Sequence, residues 1–132
     1  MSIEVRSLTP LLSVYDMPES LAFYRKLGFE VLYDSGQGDD SGWVMMQLNG
    51  VELMLNTMFD EGEPPAACDR DRIACHGDTV IYLGCPDVDG VYEQLQEQGI
   101  KSREPETATY GMRQLYLNDP DGYSLCFQWP TE

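Results

Sequence analysis

Histidine is almost absent from this chain, which contains a single one, His76, among 132 residues. An iron site built from two histidines and one carboxylate therefore cannot form within one chain. A Ser-His-Asp or Cys-His arrangement would have to recruit His76 from a charged stretch that shows no periodicity. We interpret His76 as a solvated loop residue, so the sequence points away from the common forms of histidine-based catalysis.

Basic residues are also scarce, because 8 Lys and Arg stand against 23 Asp and Glu and the net charge is −15. Nucleic acids and anionic membrane surfaces are recognised by clustered cations, so neither is an expected partner. Two explanations of the acidity stay open. It provides solubility, or it creates a negative field that concentrates a cationic ligand.

Long apolar runs and a disulfide framework are missing as well. No run approaches the roughly 18 apolar residues that a membrane span needs. The N-terminus lacks the apolar core of a secretory signal, so we expect a cytoplasmic protein. Cys85 and Cys126 fall in strand-like runs and are interpreted as small buried residues. Cys68, Cys75 and His76 offer three ligands at an unusual spacing, whereas structural zinc needs four.

What the chain does contain is one segment used twice. An apolar run ends at Asp16 and an amphipathic stretch then leads to Gly28; a second run ends at Asp87 and a second stretch leads to Gly99. The spacing from Asp to Gly is 12 residues in both copies. A repeated supersecondary unit implies two similar modules packed together, with a cleft formed by their sheets.

Each copy predicts a strand and then a helix, and further strands follow. Asp16 suits a helix N-cap, Gly28 suits a helix end, and Asn49-Gly50 indicates a hairpin. Residues 59–78, between the two copies, show no periodicity and form a linker that is long for a compact domain. We predict an α+β fold in one domain, 1–132. Module one covers 1–58, the linker 59–78 and module two 79–132. Within module two we predict a weak edge strand at 101–104 and a final hairpin turn at 119–122.

Three motifs resemble the vicinal oxygen chelate superfamily, which comprises glyoxalase I, extradiol dioxygenases and bleomycin-resistance proteins. They are Ser20-Leu21-Ala22-Phe23-Tyr24-Arg25-Lys26-Leu27-Gly28-Phe29, then Asp87-Val88-Asp89 with Tyr110-Gly111-Met112-Arg113, and finally Asp119-Pro120-Asp121-Gly122-Tyr123. The resemblance implies two βαβββ modules in tandem, whose mixed sheets curl around a cavity that is commonly completed in a dimer.

The resemblance also implies four strand positions at which the enzymatic members hold a divalent metal through His and Glu. In this sequence they correspond to Thr9, Glu52, a position near Val80, and Cys126. Glu52 alone matches the superfamily's ligand types, and one carboxylate does not hold a catalytic metal. We therefore expect no metal and no cofactor.

What remains is a cavity lined by aromatic residues and methionines. Strand alternation places Trp43 and Met45 on one face, and Phe127 and Trp129 together on another, but which faces border the cavity stays open. Tyrosine and tryptophan in a negative field suit an aromatic or cationic ligand. The predicted ligand-binding residues are Trp43, Met45, Glu52, Met54, Tyr110, Met112, Phe127 and Trp129.

Three functional hypotheses follow. The first, which we prefer, is a metal-free small-molecule binding protein similar to the bleomycin-resistance branch, a homodimer that sequesters a cationic or aromatic compound without making or breaking bonds. The second is an enzyme, a metal-dependent glyoxalase-like lyase or dioxygenase with an atypical ligand set. The third is an interaction module or regulatory subunit, which only the long linker favours. One fold can host all three, so the residues of the site must decide.

Overall fold

The chain forms two compact units, Met1–Cys68 and Asp69–Glu132. The computed structural model describes residues 2–57 and 69–131. Each unit contains a four-stranded mixed sheet, and the helices of the described residues lie in both units. The predicted α+β architecture of two repeated modules is confirmed. None of the helices within these ranges is long and apolar enough to cross a membrane.

The first unit follows the predicted order of strand, helix and three strands. The elements are β1 (Leu11–Val14), α1 (Met17–Leu27), β2 (Glu30–Asp34), β3 (Trp43–Leu48) and β4 (Val51–Thr57), with a 3-10 turn at Gly38–Asp40. Strand β1 lies parallel to β4, whereas β2, β3 and β4 are antiparallel neighbours, which gives the sheet order β1-β4-β3-β2.

Helix α1 begins and ends where its sequence signals stand. The Asp16 carboxylate accepts a hydrogen bond from the backbone N–H of Glu19 at 3.1 Å, which satisfies one free donor of the first turn. Gly28 ends the helix in the left-handed conformation, with φ of 111°. Leu21 and Tyr24 are fully buried, so the helix packs its apolar side onto the sheet.

One face of the first sheet forms the core of its unit. Val44 and Met46 of β3 and Leu55 of β4 are fully buried, and Leu53 of β4 is buried. These residues alternate with half-buried ones along both strands, as expected for a sheet with one face against a helix. The face opposite α1 is named here the open face.

The second unit repeats the mixed sheet. Its elements are α2 (Arg70–His76), β5 (Val80–Gly84), α3 (Val88–Glu97), β6 (Glu106–Thr107), β7 (Met112–Asn118) and β8 (Ser124–Pro130). Strands β5 and β8 are parallel, and β8, β7 and β6 are antiparallel neighbours, which gives the sheet order β5-β8-β7-β6. The predicted edge strand at 101–104 is wrong by several residues, since β6 pairs with β7 only at Glu106 and Thr107.

The second half of the predicted linker contains a helix that the sequence did not indicate. Helix α2 has seven residues, too few to show a clear period, and its N-cap Asp69 accepts from the N–H groups of Asp71 and Arg72. Residues 58–68 of the linker, Cys68 included, lie outside the described residues. The structure therefore places regular structure at Arg70–His76 within the segment predicted as a linker.

Helix α2 packs against the turn between β7 and β8. Inside this turn the Asp119 carboxylate accepts from the backbone N–H groups of Asp121 and Tyr123, both at 2.9 Å. Gly122 follows with φ of +85°, and a β-carbon there would lie 2.5 Å from the carbonyl oxygen of Ile73 in α2. The turn therefore needs glycine for two reasons, its backbone conformation and the closeness of α2.

Candidate functional site

The open face of the first sheet carries four of the predicted ligand-binding residues. Met45 of β3 lies opposite Met54 of β4, Gln47 lies opposite Glu52, and Trp43 lies opposite Asn56. Directly opposed residues project from the same face of a sheet, so Trp43, Met45, Glu52 and Met54 form one surface. All four are half-buried. The structure thus brings together the whole predicted set of the first unit.

Polar side chains frame this surface at the β1 side. The hydroxyl of Thr9 lies 3.4 Å from Oε1 of Glu52 and donates to it. Further along, the hydroxyl of Ser13 donates to Oδ1 of Asn56 at 3.2 Å. A ligand on the open face would therefore meet methionine and tryptophan side chains next to a carboxylate that is already oriented by a neighbouring hydroxyl.

The donor set does not suit the divalent metal that the enzymatic relatives hold. Thr9 and Glu52, the two corresponding positions of the first unit, do come together, but they supply one carboxylate and one neutral hydroxyl. Burial raises the pKa of the Cys126 thiol, which disfavours the thiolate that a metal requires. Across residues 2–57 and 69–131, no three His, Cys, Asp or Glu side chains converge.

The second sheet has a polar face that sequence reasoning largely missed. Tyr82, Cys126 and Tyr116 lie side by side on β5, β8 and β7. The hydroxyl oxygens of Tyr82 and Tyr116 are 3.3 Å apart, and this hydrogen bond together with desolvation raises the pKa of Tyr116. The pairing of β5 with β8 was needed to find Tyr82, because the two strands are distant in the sequence.

Two predicted residues, Tyr110 and Met112, lie at the end of this polar face. The hydroxyl of Tyr110 donates to Oε1 of Gln114 at 3.2 Å, and Nε2 of Gln114 donates to Oε1 of Gln128 at 3.0 Å. Met112 is half-buried and alternates in step with Gln114, so it shares the same face. A chain of side-chain hydrogen bonds therefore holds this end of β7 against β8.

The other two predicted residues lie on the opposite face of the second sheet. Phe127 is 6% exposed and pairs with Leu83 and Leu115. This face is turned to α3, since Arg113 on it forms an ion pair with Asp89 of that helix at 2.8 Å. Trp129 is 44% exposed, and its ring would lie 3.6 Å from a β-carbon at position 84. Phe127 is thus separated from Met112 by the sheet, whereas the Trp129 ring lies at the end of β5 beside Gly84.

The interpretation of His76 as a solvated loop residue is wrong. His76 ends α2 and is half-buried. Its Nδ1 lies 2.7 Å from the carbonyl oxygen of Asp121, and its ring stacks on that of Tyr123 with centroids 4.0 Å apart. A carbonyl only accepts, so Nδ1 carries the hydrogen. The histidine holds α2 against the β7–β8 turn.

Comparison with known proteins agrees with this architecture. Residues 7–127 match the family model of the Glyoxalase/Bleomycin resistance protein/Dioxygenase superfamily. A bleomycin resistance protein of Klebsiella pneumoniae is 29% identical over 125 residues, which cover 89% of this chain and 86% of that protein. TnmS3, an antibiotic binding protein from Streptomyces, is 25% identical with a TM-score of 0.72, covering 98% of this chain and 99% of the other. A bleomycin-binding protein crystallised with bleomycin is 23% identical with a TM-score of 0.68, covering 94% and 98%.

Proposed function

Since the chain belongs to the Glyoxalase/Bleomycin resistance protein/Dioxygenase superfamily, we propose that it binds a small organic molecule and sequesters it without chemical change. The open face carries this proposal, because Trp43, Met45 and Met54 present half-buried apolar surface beside the carboxylate of Glu52. Large apolar side chains with a few placed polar groups are typical of ligand sites. The relatives named for bleomycin resistance and for antibiotic binding support the same class of function.

Binding is proposed to need no metal and no cofactor. The support is the chemistry of the side chains, because the hydroxyl of Thr9 stands beside Glu52 where a metal site would require a second strong ligand. The protein would act in the cytoplasm as one domain made of both modules, with the boundaries predicted from the sequence.

The proposed ligand is aromatic or cationic. The indole of Trp43 offers a flat surface for stacking and for cation–π contact. The methionine pair beside it, Met45 and Met54, is flexible and polarisable and adapts to ligands of irregular shape. Glu52 and the net charge of −15 favour a positive charge on the ligand.

Bleomycin is the probe with which we would test the proposal. In a Trp129→Phe variant, Trp43 is the remaining tryptophan, and we expect its fluorescence to change saturably as bleomycin is added.

Replacing Trp43 with alanine should weaken binding by about tenfold or more, since buried aromatic anchors carry much of the binding energy. Calorimetry measures the affinity of the unmodified protein and of Trp43→Ala for bleomycin. For each protein we expect the same affinity with and without EDTA.

The matched control is Trp43→Phe, which keeps an aromatic ring and leaves Trp129 as the reporter. We expect it to retain most of the affinity while its emission stays constant.

Raising the salt concentration should slow association if the acidic charge attracts the cation. Constant Trp43 emission at saturating bleomycin would contradict the open-face site, and binding abolished by EDTA would contradict the metal-free proposal.

We also propose that the protein is a homodimer. The N-terminal segment exposes Ile3 at 90%, Val5 at 73% and Leu8 at 84%. Three strongly exposed apolar side chains within residues 3–8 offer surface that a partner chain would remove from water. Sedimentation velocity should give a dimer mass at micromolar concentration, and serine at all three positions should shift the protein to monomer. Serine at Leu32, an exposed leucine of β2, is the control and should leave the dimer intact.

A further inference from the structure

A groove in the second unit differs in character from the open face. Its volume is about 520 Å³, within the range of small-molecule sites. The segment between α3 and β6 forms one wall with Lys101, Ser102 and Arg103, and the sheet forms the other with Tyr116, Asn118 and Ser124. The groove is therefore large enough for a ring with its substituent, and not only for an ion.

The charge of this groove is opposite to that of the protein. Among the described residues that line it, two are cationic, Lys101 and Arg103, and none is a carboxylate. The chain has 8 basic residues against 23 acidic ones, so a groove with two cations and no acid reverses the average. Neither Lys101 nor Arg103 belongs to the ion pairs that Arg6, Arg25 and Arg113 form in the part of the chain that the structure describes.

The backbone holds the cationic wall against the sheet. The N–H of Arg103 donates to the carbonyl oxygen of Tyr116 at 2.9 Å. The backbone of Arg103 is therefore anchored to β7, while its exposed side chain can reach a ligand. Tyr116 also lines the groove, and its phenol, whose pKa is raised by the Tyr82 hydroxyl and by desolvation, carries no negative charge that would repel an anion at physiological pH. Ser102 and Ser124 add hydroxyl-bearing side chains to the same lining.

We propose that this groove binds the anionic group of a small molecule, a carboxylate, sulfate or phosphate monoester. Arg103 presents a planar fork that matches such oxygens in pairs, and Lys101 adds a compact charge. The acidic residues elsewhere do not prevent this, because salt screens exposed charges beyond about 8 Å under physiological conditions. The proposal rests on the second unit alone and does not depend on the open face binding a ligand.

The test compares benzoate with benzamide, which has nearly the same shape and no charge, and adds phenyl phosphate as a second anion. Titrations of the full-length protein are followed by ¹H–¹⁵N correlation spectra near physiological salt. We expect saturable shifts of the Ser102, Arg103, Tyr116 and Asn118 amides with at least one of the two anions and none with benzamide. Arg103→Gln should weaken binding by about fivefold or more, as expected when a charge-assisted hydrogen bond is lost.

The matched control is Lys26→Gln, which removes one positive charge from the exposed last turn of α1. Its affinity for the anions should equal that of the unmodified protein, and the double variant Lys101→Gln/Arg103→Gln should show no saturable shift. All three variants change exposed residues, and their spectra report directly whether the fold is kept.

Three results would overturn the anion site: no saturable shift in the groove with either anion, equal shifts with benzamide, or equal weakening by Lys26→Gln. The Trp43 titration with bleomycin reports the open face separately. Groove shifts with constant Trp43 emission would support the anion site and contradict the proposed open-face site. The reverse combination would contradict the anion site alone.

Discussion

Replacing Met46 with alanine is expected to lower the free energy of unfolding by about 2–5 kcal/mol, the usual cost of removing a fully buried methionine side chain. Met46 has no exposed surface and lies opposite Leu53 on the face of the first sheet that packs on α1. Its removal leaves a cavity that the closely packed core closes only in part. Urea unfolding followed by far-UV circular dichroism measures the change.

Met45→Ala is the matched control, because it makes the same substitution one residue earlier in β3. Met45 is half-buried on the open face, so we expect a loss of less than about 1 kcal/mol, as for most partly exposed positions. Bleomycin affinity should respond in the reverse order, falling for Met45→Ala and staying constant for Met46→Ala. Equal losses of stability in the two variants would mean that the faces of β3 are assigned wrongly.

Gly122→Ala is expected to destabilise the protein by about 3 kcal/mol or more, because a left-handed conformation and a steric clash add up. Its φ of +85° is costly for a residue with a β-carbon, by about 1–2 kcal/mol. The new β-carbon would also lie 2.5 Å from the Ile73 carbonyl oxygen and 2.7 Å from the Cγ2 atom of Ile73. Because the carbonyl belongs to the backbone, α2 must move away from the turn. His76 would then lose its hydrogen bond to Asp121 and its stacking contact with Tyr123.

Gly99→Ala separates the two contributions. Gly99 lies in the same unit with φ of +72°, and a β-carbon there would have no atom within 4 Å. We expect this control to lose only about 1–2 kcal/mol, the cost of the left-handed conformation. Urea unfolding of both variants measures the difference. Equal losses would show that the contact between α2 and the turn contributes nothing to stability.

Elements with signals in neighbouring residues could be predicted from the sequence. Helix α1 was placed by its N-cap Asp16 and by Gly28 at its end, both of which act through local hydrogen bonds and backbone geometry. The β3–β4 hairpin was placed by Asn49 and Gly50, whose φ values of 51° and 82° are those of its favoured turn. The resemblance carried by the three motifs is confirmed by the family match over residues 7–127.

Elements whose stability comes from residues distant in the sequence could not be predicted from the sequence. Helix α2 is too short to be stable alone, and among the described residues it packs on the β7–β8 turn at Gly122, Asp121 and Tyr123. Strand β6 has only two residues, and its position is set by pairing with β7. The same reason explains the error about His76, since nothing near it in the sequence indicates its partners.

The same distinction between neighbouring and distant residues applies to the candidate site. The sequence by itself determined the two modules, the strand alternation and the grouping of Trp43 with Met45, because all three depend on short-range periodicity. Only the tertiary structure decided that Glu52 and Met54 join them, since this needs the register of β3 against β4. It also decided that Phe127 lies on the face of α3, and that Lys101 and Arg103 meet Tyr116 in one groove. Alternation gives two faces to every strand, and the packing of distant elements chooses which one is buried.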